Sequence, residues 1–484
     1  MRIHSELVLL GFALGLVVGC TPVHEEEARV ADGHSALPRG EKKRWVLCGP
    51  EPRPLNGSYP TGMVRGSPSW LVHGPDALFF TIYEQSHGTE LWASSGEDPR
   101  TGLVKDIRPG LQGSNPRLLT KVGEAVYFVA DDGLHGEELW RSDGTAGGAV
   151  MVKDIRQGAA GSNIQGLAVW KGMLFFGADD GVHGKELWRS DGTEAGTLLF
   201  AELAPGSGGA TFHDLAGLGG ALYLATSVEH RPVLWRTDGV SPGRLESVFE
   251  AFEDYTITNL LPVAGRLVFT VFDGGELDPV ARLYRTDGTP GGTESFAWGY
   301  LGDVVAVGTQ LFFTRDLDPP VGDYELFVSD GTSAGTRLVK DIQPSGRGSD
   351  PYPMVAMDGV LYFAADDGVH GEELWRSDGT EEGTVLVVDL EPGAAGSSPR
   401  ELEAIEGTLF FSANTEARGI EPWVSDGTLT GTLPIQDVAA GENSSSPRYF
   451  VRSGWDVFFS ADDYTQAHGL SLWAVRFRPA GECD

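Results

Sequence analysis

Histidine and carboxylate recur in this sequence at fixed spacing, and both belong to metal and acid–base chemistry. His87, His135, His183, His230, His370 and His468 each stand five residues before a large aromatic residue. A ring of imidazoles suggests a metal site, yet a zinc ion needs its ligands within about 2 Å. Carboxylates form three more columns. Asp143, Asp191, Asp238, Asp287, Asp330, Asp378 and Asp426 each precede a glycine. Asp106, Asp154, Glu202, Asp341, Asp389 and Asp437 close short apolar runs, and the pairs beginning at Asp131, Asp179, Asp366 and Asp462 open turns. Calcium collects about six to eight oxygens at about 2.3–2.6 Å, often from acid-and-glycine turns. It is the one ion these turns are compatible with, although neither the EF-hand order nor the calcium-binding β-helix repeat is present. No other metal and no cofactor is expected. A glycosidase would need two carboxylates roughly 5–10 Å apart. Candidates are the acids that break the pattern: Asp316, Asp318 and Asp323 in one segment, with the segments 273–278 and 462–468 beside them.

Other chemistries leave no trace. There is no phosphate-binding Walker loop, no His-Glu-x-x-His and no nucleophile elbow. Lys plus Arg number 36 against 69 Asp plus Glu, a net charge of −33. That balance excludes a nucleic-acid binder, which needs a basic face to displace phosphate counterions. It also excludes attachment to a membrane by charge alone, because anionic headgroups repel it. Hydrophobic residues at 41% and aromatics at 10% supply a large core, while 67 Gly and 28 Pro in 484 residues argue against a helical bundle.

The elements that position these side chains are read from a repeat. Residues 138–145, 186–193 and 373–380 all read ELWRSDGT; residues 325–332 read ELFVSDGT and 421–428 read EPWVSDGT. Aligned on the aromatic anchor, the units centre on Trp92, Trp140, Trp188, Trp235, Tyr284, Phe327, Trp375, Trp423 and Trp473, spaced by 48, 48, 47, 49, 43, 48, 48 and 50 residues. Nine units thus cover Gly66 to Arg476. Each holds an apolar pair such as Tyr127-Phe128, an Asp-Gly turn, the anchor segment, the Asp-Gly-Thr turn and a last apolar run. Four short β-type runs separated by Gly and Asp turns make an antiparallel meander. Adjacent apolar residues in a strand imply burial on both faces. The expected fold is all-β: a β-propeller of nine four-stranded blades, with the anchors and apolar pairs forming the core between blades. The short 43-residue step between units 5 and 6 leaves an alternative of eight blades with an irregular insert. The ninth unit lacks a fourth strand, and Arg44 to Cys48 is an unattached strand-like piece. If that piece completes the ninth blade, the N- and C-terminal strands close the ring, and Cys48 and Cys483 become neighbours able to form a disulfide.

Ahead of the repeat, Leu7 to Val18 is an apolar run too short to span a bilayer and of the right length for an export signal. It ends Leu16-Val17-Val18-Gly19-Cys20, which resembles the lipobox of bacterial lipoproteins. The resemblance implies a signal peptide over residues 1–19 and a lipid on Cys20. Residues 20–43 are polar, without apolar period, and read as a flexible tether. The propeller domain then runs from 44 to 484.

The repeat units resemble those of the bacterial ELWxxDGT-repeat proteins, through the three identical octamers, the two near copies and the Gly-Thr that follows at Gly196-Thr197, Gly335-Thr336 and Gly383-Thr384. The resemblance implies a propeller-like fold in an exported chain, often a lipoprotein, and adds no activity. The Asp-Gly-Thr turns are also similar to the Asp-boxes of sialidase propellers, but the catalytic Arg cluster of those enzymes is not recognisable. Histidines and aspartates repeated with the blade are expected to be turn residues. The first functional reading is therefore a monomeric, lipid-anchored binding or scaffold module of the bacterial envelope, at the outer membrane or cell surface, with a protein or glycan partner. The second is an extracellular carbohydrate-active enzyme using the asymmetric acidic loops. The third is a calcium-stabilised structural protein of the envelope.

Overall fold

The computed structural model describes residues 44–49, 52–55, 68–96, 101–206, 208–273, 280–318, 322–464 and 470–483. These lie in one compact unit, Lys43–Asp484. The signal peptide, Cys20, the tether and His468 fall outside the described residues.

Eight repeat units fold as four-stranded antiparallel sheets, and the ninth contributes three strands to a sheet that two N-terminal strands complete, giving nine blades among the described residues. In blade 2 the strands are Arg117–Val122, Ala125–Asp131, Glu137–Ser142 and Val150–Lys153, paired in sequence order. The first strand of every blade touches the first strands of the blades on either side, and that of blade 9, Arg448–Ser453, touches that of blade 1, Ser69–His73. The first strands therefore line the inside of a closed ring. Blades 5 and 6 are complete, so the ring has nine blades and the eight-bladed alternative does not apply. The short step between them arises because Glu294–Gly299, the last strand of blade 5, is separated from Leu301–Val307 by Tyr300 alone.

The period of two along a strand explains why the second strands are apolar at consecutive positions. Val126, Phe128 and Ala130 pack with Phe79, Leu91 and Ala93 of blade 1, whereas Tyr127 and Val129 pack with Phe176 and Trp188 of blade 3. All nine junctions share this arrangement. The first residue of the apolar pair in one blade meets the second residue and the anchor of the next, as Tyr362 meets Phe411 and Trp423, and Phe410 meets Phe459 and Trp473. Trp92, Trp140, Trp188, Phe327, Trp375, Trp423 and Trp473 are buried; Trp235 and Tyr284 are half-buried. Each fully buried Phe contributes about 1.5–3 kcal/mol relative to exposure. The junction also selects the glycine of the Asp-Gly-Thr turn. Gly192 has φ of 86°, and a Cβ there would collide with the Tyr127 hydroxyl of the preceding blade.

The last junction closes as the sequence suggests. Trp45–Leu47 pairs antiparallel with Leu470–Pro479, with Trp45 opposite Pro479 and Leu47 opposite Phe477. Arg53–Pro54 adds a second short pairing opposite Ala474 and Trp473. Trp45 and Leu47 pack on the core between blades 8 and 9. Cys48 and Cys483 form a disulfide that joins positions 435 residues apart. In the loop-entropy view such a link stabilises by on the order of several kcal/mol. The Cys48→Ser/Cys483→Ser double variant is expected to lose amide-exchange protection first in Trp45–Leu47 and Leu470–Pro479, with a lower thermal midpoint. Loss of protection that begins in another blade would contradict this closure.

Candidate functional site

The repeated turns use their own polar groups. Asp191 Oδ1 accepts the Thr193 amide at 2.9 Å and its hydroxyl at 2.7 Å. Thr193 Oγ1 accepts the Gly196 amide at 2.9 Å, and the Thr197 hydroxyl lies 2.7 Å from both Thr193 O and Ser190 Oγ. The Thr193 bonds hold the Asp191 carboxyl below its ordinary pKa. The same set recurs around Asp330, Asp378 and Asp426. The histidine column is also local. Asp180 Oδ1 accepts the amides of Val182 and His183, both at 2.9 Å, and Oδ2 lies 2.7 Å from His183 Nδ1. Asp132 with His135 and Asp367 with His370 repeat this, and Glu84 takes the place of the aspartate beside His87. These carboxylates raise the pKa of His87, His135, His183 and His370. His230 differs, with its Nδ1 3.6 Å from Asp254 Oδ1. Among the described residues no group of three or more His, Cys, Asp or Glu side chains is placed to hold a metal ion.

A column that sequence reasoning passed over is the glutamate of the ELW motif. Glu90, Glu138, Glu186, Glu325, Glu373 and Glu421 are fully buried. Each reaches from the third strand to the connection leading into the next blade. Glu138 accepts the amides of Ile155 and Arg156, both at 3.1 Å, and the Ser162 hydroxyl at 2.8 Å. Glu421 accepts the amides of Val438, Ala439 and Ser445 and the Ser445 hydroxyl. Buried backbone donors need partners, and one carboxylate supplies up to four lone-pair sites. Burial raises the pKa of all six, taking Glu138 and Glu186 up to about 7, while the donated hydrogen bonds pull the other way.

The acids of the irregular loop in blade 6 are brought together. Asp316 is buried, and its Oδ1 accepts the amides of Asp318 and Asp323, both at 3.0 Å. Asp318 is exposed and Asp323 half-buried. The other two asymmetric loops lie partly outside the described residues. Of these, Asp273 Oδ1 accepts the Val280 amide at 3.1 Å and Asp462 Oδ1 the Tyr464 amide at 2.7 Å.

Symmetry breaks most clearly on the inner wall. At the first-strand position facing the first residue of the apolar pair stand Val72, Thr120, Ala168, Ala216, Leu261, Val305, Val355 and Val451 in eight blades, but Glu403 in blade 8. Glu403 has solvent access inside the ring, yet the surrounding protein pushes its pKa up to about 7. Asp303 of blade 6 and Asp214 of blade 4 are shifted upward by the same crowding. Two residues ahead of that position many first strands bulge, and the bulge begins on a left-handed residue: Trp70, Leu118, Gly166, Asn259, Glu401 or Tyr449, with φ from 52° to 60° across the set. Left-handed backbone costs roughly 1–2 kcal/mol for a residue other than glycine. The inner wall offers hydrogen-bonding and aromatic groups.

No protein-family model matches the chain, and no curated protein matches it. Among solved structures it is similar to a puromycin hydrolase at 14% identity and a TM-score of 0.38, covering 72% of this chain and 58% of that one. A Mycobacterium tuberculosis puromycin-hydrolyzing peptidase matches at 11% identity and a TM-score of 0.40, with 72% and 58% covered. A Pyrococcus horikoshii acylaminoacyl peptidase matches at 13% identity and 0.39, with 82% and 58% covered. The chain thus spans less than two thirds of the length of each. A closed propeller suits a binding or scaffold module, since its strands hold loops and inner wall on a rigid frame.

The buried glutamates carry a pH dependence. Glu138 and Glu186 titrate from an ordinary 4.5 to about 7 on folding, so unfolding releases their protons. Their contribution to stability is complete below about pH 4.5 and is lost as pH rises through about 7. The raised turn histidines act in the same sense. The thermal midpoint is expected to fall from about pH 5.5 to about pH 8; a midpoint that climbs over that interval contradicts the assignment. Glu138→Gln turns an amide NH2 toward backbone donors and is expected to lower stability in denaturant titration by about 1–3 kcal/mol.

Proposed function

We propose that this chain is an exported, lipid-anchored binding or scaffold module that displays a rigid propeller to a protein or glycan partner at the bacterial cell envelope. The observation that carries the reading is the ring itself, nine blades locked by the disulfide between Cys48 and Cys483. Disulfides persist in oxidising compartments outside the cytosol, which supports the export signal over residues 1–19. Cys20 carries the lipid and residues 20–43 hold the propeller off the membrane. The resemblance of the ELWRSDGT octamers to the ELWxxDGT-repeat proteins points to the same compartment. The aspartates of the Asp-Gly-Thr turns and four of the repeated histidines are engaged in their own turns, so the specific surface is sought where the blades differ.

Two measurements on the full chain test this. Cys20→Ser is expected to move the protein from the membrane pellet to the soluble exported fraction; continued sedimentation with membranes removes the anchor. Cross-linking the tagged chain on intact cells is expected to recover one protein or glycan reproducibly. Recovery of nothing above a tag-only control removes the binding reading.

A further inference from the structure

We infer that the inner wall formed by blades 8, 9 and 1 is a binding subsite for an uncharged pyranose glycan, with Trp70 and Tyr449 as its aromatic platform. The inference rests on the reading of the chain as a binding module and names the chemistry of its partner.

The argument begins with the first-strand bulge. A backbone position with positive φ favours Gly, which has no Cβ to clash, or Asn. Blades 3 and 5 follow that rule with Gly166 and Asn259. Blade 2, with Leu118, and the three blades before it around the ring do not. Blade 8 has Glu401 at φ 55°, blade 9 has Tyr449 at φ 60° and blade 1 has Trp70 at φ 52°. Packing does not account for the two aromatics. Leu118, at the same position in blade 2, packs on the core between blades 2 and 3. Trp70 and Tyr449 belong to none of the inter-blade cores and remain 45% and 37% exposed. A large apolar side chain kept in a disfavoured conformation and left open to solvent marks a site where the strain serves binding.

The three positions lie on first strands that neighbour one another around the ring. The first strands of blades 9 and 1 touch across the closure, and Glu401 Oε2 accepts the amide of Tyr449 at 3.2 Å. Each residue sits at the start of its first strand, next to the connection from the preceding blade. Glu403 follows on the same strand as Glu401. Arg448 precedes Tyr449 and is exposed, whereas Arg400 is held by Glu372 through two bonds of 2.8 Å.

Charge then selects the ligand. An anion would meet Glu401, Glu403 and a chain of net charge −33, and among the described residues no group of three or more His, Cys, Asp or Glu is placed to hold a metal cation. A pyranose oligosaccharide carries no charge. Its ring presents an apolar C–H face to aromatic side chains, and its hydroxyls both donate and accept. Carboxyl groups that accept and a guanidinium that donates match that pattern. Two aromatic surfaces with a few placed polar groups are the usual make-up of a small-ligand site.

The test uses the full chain purified from membranes in detergent. Cellohexaose, laminarihexaose, maltohexaose, xylohexaose and chitohexaose serve as probes in calorimetric titration. At least one is expected to bind, and Trp70→Ala, Tyr449→Ala and Glu401→Gln are each expected to weaken it by about 10-fold or more, about 1.4 kcal/mol. Trp298→Ala, which alters an exposed tryptophan on the last strand of blade 5, is expected to leave binding unchanged. A thermal melt of each variant confirms folding; Trp70→Gly, which relieves the left-handed position, is the second variant and should lose binding without a lower midpoint. Binding that ignores both aromatic substitutions overturns the inference, as does the absence of binding to all five probes. If cross-linking on cells still recovers a protein partner in that case, the glycan inference falls and the binding module stands. If neither is found, both fall.

Discussion

Every blade of this protein has two apolar faces, and neither can be covered from within the blade. The controlling contact is the one in which the first residue of the apolar pair in one blade meets the second residue and the anchor of the next, as Phe79 meets Phe128 and Trp140. Because side chains alternate across a strand, the two adjacent residues of the pair serve opposite neighbours. The faces are all covered only when the ring closes. From this follow the glycine under Tyr127, the borrowed strand Trp45–Leu47 that completes blade 9, and the disulfide that holds that strand in place.

A second constraint lies in the connections between blades. They carry backbone amides into the interior, and the fully buried glutamates accept from them. The ELW motif thus joins two functions in adjacent residues: the tryptophan packs across the junction and the glutamate satisfies the chain that leads into it. Burying a carboxyl in that role raises its pKa, while the amides and hydroxyls that donate to it favour the ionised form.

Repetition also separates scaffold from site. The aspartates of the Asp-Gly-Thr turns and His87, His135, His183 and His370 are bonded within three residues in sequence. The positions where one blade departs from its fellows are few: Asp316 in the irregular loop of blade 6, Glu403 on the inner wall, and Glu401, Tyr449 and Trp70 at the bulge. Sequence reasoning reached the first of these, because a loop that breaks a repeat is visible in alignment. It did not reach the others, because a bulge position and its exposure depend on strand register.

Blade count, strand order and turn chemistry were legible in the sequence, since their causes are local. A strand is a short apolar run, a turn is an aspartate bonding a threonine two residues on, and the anchor spacing counts the blades. Closure by the chain ends was legible too, because a missing fourth strand and an unattached piece leave one economical solution. The role of Glu138 was not, as its partners lie 17, 18 and 24 residues away across a connection. Nor was it legible that the strands of Tyr449 and Trp70, residues 379 positions apart in the numbering, touch once blade 9 meets blade 1. Local interactions write themselves into the sequence as periodicity. Contacts across the closure carry no period, and only the tertiary structure decides them.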